Sequence, residues 1–240
     1  MSVLNEIRQE SPSRLNHWNQ LISAYLEVTK PKILVMLTFT SLCAALVAQR
    51  GVPSISVIFA MLLSASLSAG GSAAINMWYD RDIDVMMERT AKRPIPAGLI
   101  DPPSVLRFGL VLGILSVVVA FVFVNPLTSL LNATGYFYYA VVYTMWLKRR
   151  TPLNIVIGGG AGAFPILIGW ASVTGSLNIT AWLMFLIVFL WTPPHSWALA
   201  LYKNEEYTKA GIPMMPVVKG PLVQQKFKVY FIWFFYLFVP

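Results

Sequence analysis

Charge is scarce in this sequence. Asp, Glu, Lys and Arg make up 12% of its 240 residues, about half the ~25% of an ordinary soluble domain. A water-soluble chain of this size would have too little polar surface to cover its core, and the same composition excludes a disordered chain and a coiled coil. There is a single cysteine, Cys43, which excludes an internal disulfide framework and a cysteine zinc cluster. Histidine is nearly absent too, with only His17 and His195. A formal net charge of +8 would suit a nucleic-acid binder, but not in a chain that is 57% apolar. A polytopic membrane protein remains.

The first 30 residues are polar, with Glu6, Arg8, Glu10, Arg14 and Glu27. They have neither the apolar core of a signal peptide nor the acid-poor, Arg- and Ser-rich character of a transit peptide. The expected setting is therefore a bacterial cytoplasmic (inner) membrane, with membrane lipids as the surroundings and no nucleic-acid partner. Seven apolar stretches follow, over roughly 33–49, 55–78, 105–124, 127–147, 153–174, 180–202 and 229–240. Six are long enough to cross a bilayer as helices, which takes ~20 residues. The seventh reaches Pro240 too soon to cross, so a carboxy-terminal truncation is expected. The fold class is all-α, a polytopic transmembrane helical bundle.

If the spans alternate, every Lys and Arg except Arg50 falls on one side of the membrane. Positive loops mark the cytoplasmic side, so the amino-terminus and these loops are expected inside, with residues 1–32 as a cytoplasmic tail and 33–240 as the membrane domain. Seven of the ten acids, Asp80, Asp82, Asp84, Glu88, Asp101, Glu205 and Glu206, lie in the two long loops of that same side. Polar chemistry belongs at this end.

Residues 73–98 read AAINMWYDRDIDVMMERTAKRPIPAG. Asn76, Asp80 and Asp84 are four apart, so on one helix each is offset by only about 40° from the last. Asp82 lies off that face. Arg89, Lys92 and Arg93 continue the segment until Pro94 and Pro96 end the helix. A column of oxygen ligands followed by cations suits Mg²⁺, a hard ion often held by a few carboxylates together with substrate phosphates, with arginine gripping the phosphate oxygens. The alternative is a solvated amphipathic turn with intrahelical pairs. Charge at the mouth of a span is costly and usually functional, which favours the first reading.

Residues 190–220 hold His195 behind Pro193-Pro194, then Lys203, Glu205, Glu206 and Tyr207. Eight and eleven residues separate His195 from Lys203 and Glu206, so on a continuous helix they share a face and form a second acidic wall opposite the first. Read alone, the pair of glutamates is a helix end and the histidine a structural hydrogen bonder. Lys148, Arg149 and Arg150 end the fourth span, either as a topology anchor or as phosphate ligands. Gly158-x-x-x-Gly162 reads as close helix packing.

These two long motifs resemble the intramembrane prenyltransferase superfamily typified by 4-hydroxybenzoate polyprenyltransferase. N-x-x-x-D-x-x-x-D followed by R-T-x-x-R-P-I-P-A-G is similar to the heme O synthase (protoheme farnesyltransferase) subgroup, as is PPHSWALALYKNEEYTKAGIPMMPVVKG. The resemblance covers about residues 25–235. It implies nine transmembrane helices, of which seven are in this chain, around a central cavity. It implies Mg²⁺-dependent transfer of farnesyl from farnesyl diphosphate to a vinyl group of heme b, giving heme O. Asn76, Asp80 and Asp84 would hold Mg²⁺ and diphosphate, joined by Glu205 and Glu206. Arg89, Lys92, Arg93, Lys148 and Lys203 would bind phosphate oxygens. His195, typical of the heme subgroup at a position where the wider superfamily has an aspartate, would contact heme, since neutral imidazole is a common iron ligand; Glu205-Glu206 replaces the usual final aspartates. Trp78, Tyr79, Phe137, Tyr139 and Tyr143 could flank an allylic cation. Heme-delivery or terminal-oxidase assembly partners follow from the same resemblance. The alternatives are prenyl transfer to a quinone precursor such as 4-hydroxybenzoate, an ion transporter, and a heme-binding assembly protein without turnover.

Overall fold

A computed structural model describes residues 14–220, and every regular element among them is helical. The first apolar stretch follows a short helix, α1 (Arg14–Val28), and forms α2 (Pro31–Gln49), with Pro31 at its first position. There its missing N–H costs nothing. The second stretch is α3 (Ile55–Tyr79), 25 residues long, about 37 Å of helix against a hydrocarbon core of ~30 Å. Its last turn therefore reaches the interface. A four-residue turn of helix, α4 (Arg81–Asp84), follows, and residues 85–101 run as consecutive turns before α5 (Pro102–Phe123).

The fourth stretch is one run in two geometries, α6 (Pro126–Phe137) passing directly into a π-helical segment over Tyr138–Leu147. The fifth is broken at Gly159 into α7 (Asn154–Gly158) and α8 (Gly160–Thr174), and the sixth is α9 (Ile179–Tyr202). Two short helices, α10 (Asn204–Lys209) and α11 (Met215–Lys219), complete the described chain. The seventh apolar stretch lies outside the described residues. Five of these spans, α2, α3, α5, α7–α8 and α9, are long and apolar enough to cross a membrane.

Interior positions go to the helices rich in small residues. α3 and α8 are the most buried, α3 packing on α5 and α8 on α2. In lipid no hydrophobic drive joins helices, so close backbone approach does the work. A Cβ at Gly71 would stand 2.8 Å from the Gly109 carbonyl oxygen, and one at Gly109 would stand 2.9 Å from that of Gly71. A Cβ at Gly169 would fall onto the carbonyl oxygen of Ser41. The predicted Gly158–Gly162 contact is different: Gly158 abuts the ring of Tyr143, whereas Gly162 faces open space at the wall of a cavity.

Three apolar clusters position the site. Met61, Leu131, Leu167 and Trp170 fill the end away from the basic loops. At the basic end, Val28 of α1 and Met77 of α3 pack with Ile95 and Ile100 of the turns. Ile83 and Met87 pack with Ala200, Ala210, Ile212 and Met214, which docks the segment after α3 against the segment after α9. Thus the two motif-bearing loops share one small core.

Candidate active site

Asp80 is the residue at which α3 stops, with φ −84° and ψ 4°. A helix carboxy-terminus carries partial negative charge and unpaired carbonyls, so a buried carboxylate there needs cations around it. The fold supplies two of them from one segment. Lys148, just past the π-helical segment, donates to Asp80 Oδ2. Arg149 reaches Asp80 Oδ1 at 3.4 Å, donates to the Tyr79 carbonyl at 3.0 Å, and lies 4.7 Å from the centre of the Tyr79 ring. Its main partner is Asp82, at 2.6 and 2.7 Å. That hydrogen bond holds the exposed Asp82 carboxyl below its usual range and pushes the Arg149 guanidinium up.

Asp84 is buried as well. Arg93 NH1 donates to its two oxygens at 2.8 and 2.7 Å, and Thr90 Oγ1 caps its carbonyl at 2.8 Å. The expected helical column of cations is not formed. The chain leaves helix at Asp84, ten residues before Pro94, so the prolines are not what ends it, and it turns back through residues 85–100. Of the three predicted cations Arg93 alone turns inward; Arg89 and Lys92 are exposed.

The third residue of the row, Asn76, is buried one turn before Asp80. Its Nδ2 donates to Asp80 Oδ2 at 2.8 Å and to Thr144 Oγ1 at 3.1 Å, and its Oδ1 accepts from Lys30 Nζ at 2.5 Å. Lys30 sits at the α1–α2 reversal in a left-handed conformation, φ 56°, an uncommon choice for a residue with a Cβ. Its other contact is the hydroxyl of Tyr139 at 3.3 Å. Among the described residues its hydrogen-bond partners are thus neutral. Burial, with the charge of Arg93 adding to it, lowers its pKa to about 8.

Lys30 also lines a cavity of about 410 Å³, within the 300–1,000 Å³ of small-molecule sites. Ala65, Ser68, Ala69, Ser72 and Ala73 form one wall, a single face of α3 that leads on to Asn76. The stacked rings of Tyr139 and Tyr143, 5.6 Å apart, form another. The lining is completed by α2, α7, α8 and, on α9, Thr192, His195 and Ser196. Of the other aromatics singled out in the sequence, Tyr79 lies under Arg149, Trp78 carries Arg81 at 5.4 Å, and Phe137 faces outward.

The second motif is placed differently from its sequence reading. His195 lines the cavity and stacks on Trp191, ring centres 5.7 Å apart. The helix then breaks at Lys203, φ −108° and ψ 28°, so Glu205 and Glu206 are not on a continuous face with His195. Glu206 Oε1 accepts from Lys203 at 2.7 Å, which raises the lysine's pKa, while its Oε2 is buried with no hydrogen-bond partner among the described residues. Glu205 is exposed. Among the described residues no three His, Cys, Asp or Glu side chains already form a metal cluster.

Lys30, Arg93, Lys148 and Arg149 stand against Asp80, Asp82 and Asp84, an excess of one positive charge in and around a buried site. A divalent cation alone would increase that excess, and a polyanion would neutralise it. The arrangement therefore suits a diphosphate held at the head of an apolar tunnel. Sequence reasoning missed Lys30 and Thr144, and left Arg149 open between a topology anchor and a phosphate ligand. Nothing along the chain separates Lys30 from Lys32, or Arg149 from a topology anchor.

The profile of the UbiA prenyltransferase family matches residues 37–240. Relatives include the protoheme IX farnesyltransferases of Symbiobacterium thermophilum, 53% identical over 84% of this chain and 67% of that protein, and of Parvibaculum lavamentivorans, 52% identical over 82% and 61%. That of Bartonella henselae is 48% identical over 92% and 70%. The chain spans about two-thirds of the length of these relatives. Among solved structures, a UbiA homolog from Archaeoglobus fulgidus bound to DMAPP and Mg²⁺ superimposes with a TM-score of 0.66 at 22% identity, over 84% of this chain and 71% of that one. Digeranylgeranylglyceryl phosphate synthase gives 0.72 at 19% identity, over 88% and 73%. These two share the fold. With its helical bundle, its five membrane-capable helices and the matched profile, the chain is an integral membrane protein that belongs to the UbiA prenyltransferase family.

Proposed function

We propose that this protein transfers the farnesyl group of farnesyl diphosphate to a vinyl group of heme b, producing heme O and diphosphate, with the reaction at the cytoplasmic face of a bacterial inner membrane. The observation that carries the reading is the buried Asn76–Asp80–Asp84 row at the head of an apolar cavity, in a chain about half identical to protoheme IX farnesyltransferases. The donor set fits Mg²⁺: two buried carboxylates, an amide oxygen, and the orphaned Oε2 of Glu206 are hard oxygen ligands. Asn76, Asp80 and Asp84 would hold it, with Glu206 and Glu205 from the facing loop. When bound, it supplies neutralisation of charge on the departing diphosphate.

The chain's own residues do the rest. Lys30, Arg93 and Lys148 take the phosphate oxygens, Lys92 and Arg89 standing further out with Lys203. They favour the bond-breaking state because negative charge grows there as the allylic C1–O bond opens and its electron pair leaves with diphosphate. The stacked Tyr139 and Tyr143 offer π-faces to the positive charge left on the prenyl carbon. The vinyl π-pair bonds to C1, and water adds at the carbon thereby made cationic and loses a proton, leaving a hydroxyl. His195 holds heme at the cavity wall. Heme-delivery or terminal-oxidase assembly partners belong to the same proposal.

Membranes containing the protein are expected to convert heme b to heme O when given farnesyl diphosphate and Mg²⁺. Prenylation of 4-hydroxybenzoate in place of heme b would refute the acceptor. His195→Ala should lose the heme absorption spectrum of the loaded protein; an unchanged spectrum removes that role. Arg93→Ala should weaken prenyl diphosphate binding roughly tenfold more than Lys92→Ala, because it alone frees a buried carboxylate. Equal losses would count against the inward placement of Arg93.

A further inference from the structure

Asn76 joins the ionic cluster to the cavity, and its amide has two faces of opposite chemistry. The NH₂ end carries two donors and the oxygen end only acceptors. Thr144 Oγ1 lies 3.1 Å from Asn76 Nδ2 and 2.8 Å from the carbonyl oxygen of Tyr139. A hydroxyl has a single hydrogen, and the Tyr139 carbonyl can only accept. That hydrogen is therefore spent on Tyr139, and Thr144 meets Asn76 as an acceptor. Asp80 Oδ2, at 2.8 Å, asks for the second hydrogen of the same NH₂ group. A reversed amide would set its oxygen against two acceptors and its NH₂ against the Lys30 ammonium.

We propose that Thr144 is a positioning residue for prenyl diphosphate binding. It locks Asn76 with its amide oxygen turned toward Lys30, which lines the cavity. The π-helical backbone makes this contact available. On an α-helix a threonine hydroxyl bonds the carbonyl three or four residues back, whereas Thr144 bonds the carbonyl five back. Tyr139 is held at both ends, its carbonyl by Thr144 and its hydroxyl by Lys30 at 3.3 Å. Helical segments of this kind are often found at functional sites. Thr144 itself is fully buried and outside the cavity lining, and it meets the site through Asn76 and through the backbone carbonyl of Tyr139.

The inference rests on the proposed function, and one titration separates the two. Mg²⁺-dependent binding of farnesyl thiolodiphosphate, an analogue that does not react, is measured by calorimetry on the full chain in nanodiscs. Thr144→Val keeps the shape and loses the hydroxyl; Thr144→Ser keeps the hydroxyl and loses the methyl group. Loss of one buried hydrogen bond predicts about five- to tenfold weaker binding for the valine variant, with the serine variant near wild type. A residue that only packs gives the opposite order, serine weakened and valine unaffected, and that order overturns the proposal. Should the valine variant fail to fold, weak binding by the serine variant overturns it equally. If the wild-type chain binds no analogue at all, the functional reading falls, and this inference with it.

Discussion

Replacing Asp80 with Asn is expected to lower prenyl transfer by at least ~10²-fold, the usual loss when one preorganised electrostatic group is removed from a reacting site. The substitution keeps the shape and an acceptor oxygen for Lys148, and removes the charge. Asp80 has no contact with water and binds Lys148, Arg149 and Asn76 at once, so no neighbouring carboxylate can take its place. The effect on stability should be smaller than the ~3–5 kcal/mol of breaking a wholly buried ion pair, since the Lys148 side chain keeps 16% of its surface in solvent. The expected signature is therefore a folded, heme-loaded protein with almost no product. It is read by heme O extraction alongside a thermal melt. Activity within tenfold of wild type, in protein of normal melting behaviour, would remove Asp80 from the diphosphate site.

Gly169→Ala is expected to be the most damaging single-methyl change in the described bundle. The added Cβ falls onto the backbone of α2 at Ser41, and a backbone cannot rotate aside as a side chain can. The α2 and α8 helices must separate, and both line the cavity. Overpacking of this kind costs ~1–3 kcal/mol and occasionally more, which for a chain of this size lowers the melting midpoint by roughly 5–10 °C. Gly162→Ala is the control. Its nearest neighbour, Thr192 Oγ1, is 4.0 Å from the added carbon, so the midpoint should hold. Detergent-solubilised protein of each variant, melted side by side, tests the contrast; equal midpoints would mean that α2 and α8 do not meet backbone to backbone.

Much of the bundle was legible along the chain. The first six apolar stretches are the helices α2, α3, α5, α6 with its π-helical continuation, α7–α8 and α9, with ends shifted by three residues or fewer. Length and hydrophobicity suffice for that, because partitioning into a bilayer sums over some twenty residues and tolerates local error. Asn76, Asp80 and Asp84 were legible as well, through their spacing of four. The cations after Asp84 were not. A helical register carried Arg89, Lys92 and Arg93 together, while the real chain turns back and keeps one of them inside. Lys148, left open between a topology anchor and a phosphate ligand, is bound to Asp80. The reach of the glutamates from His195 failed for the same reason, a helix break at Lys203 that no periodicity announces.

The sequence by itself determined which segments are apolar enough to enter the membrane, which end carries the charge, and the four-residue spacing of Asn76, Asp80 and Asp84. These depend on composition and on short-range spacing. Only the tertiary structure decided which cation meets which carboxylate. Lys30 with Asn76, Lys148 with Asp80 and Thr144 with Asn76 join residues 46, 68 and 68 positions apart. Such contacts form or fail over about an ångström, and that distance is set by how glycine-rich helices pack and by a π-helical register that shifts each following side chain around the axis.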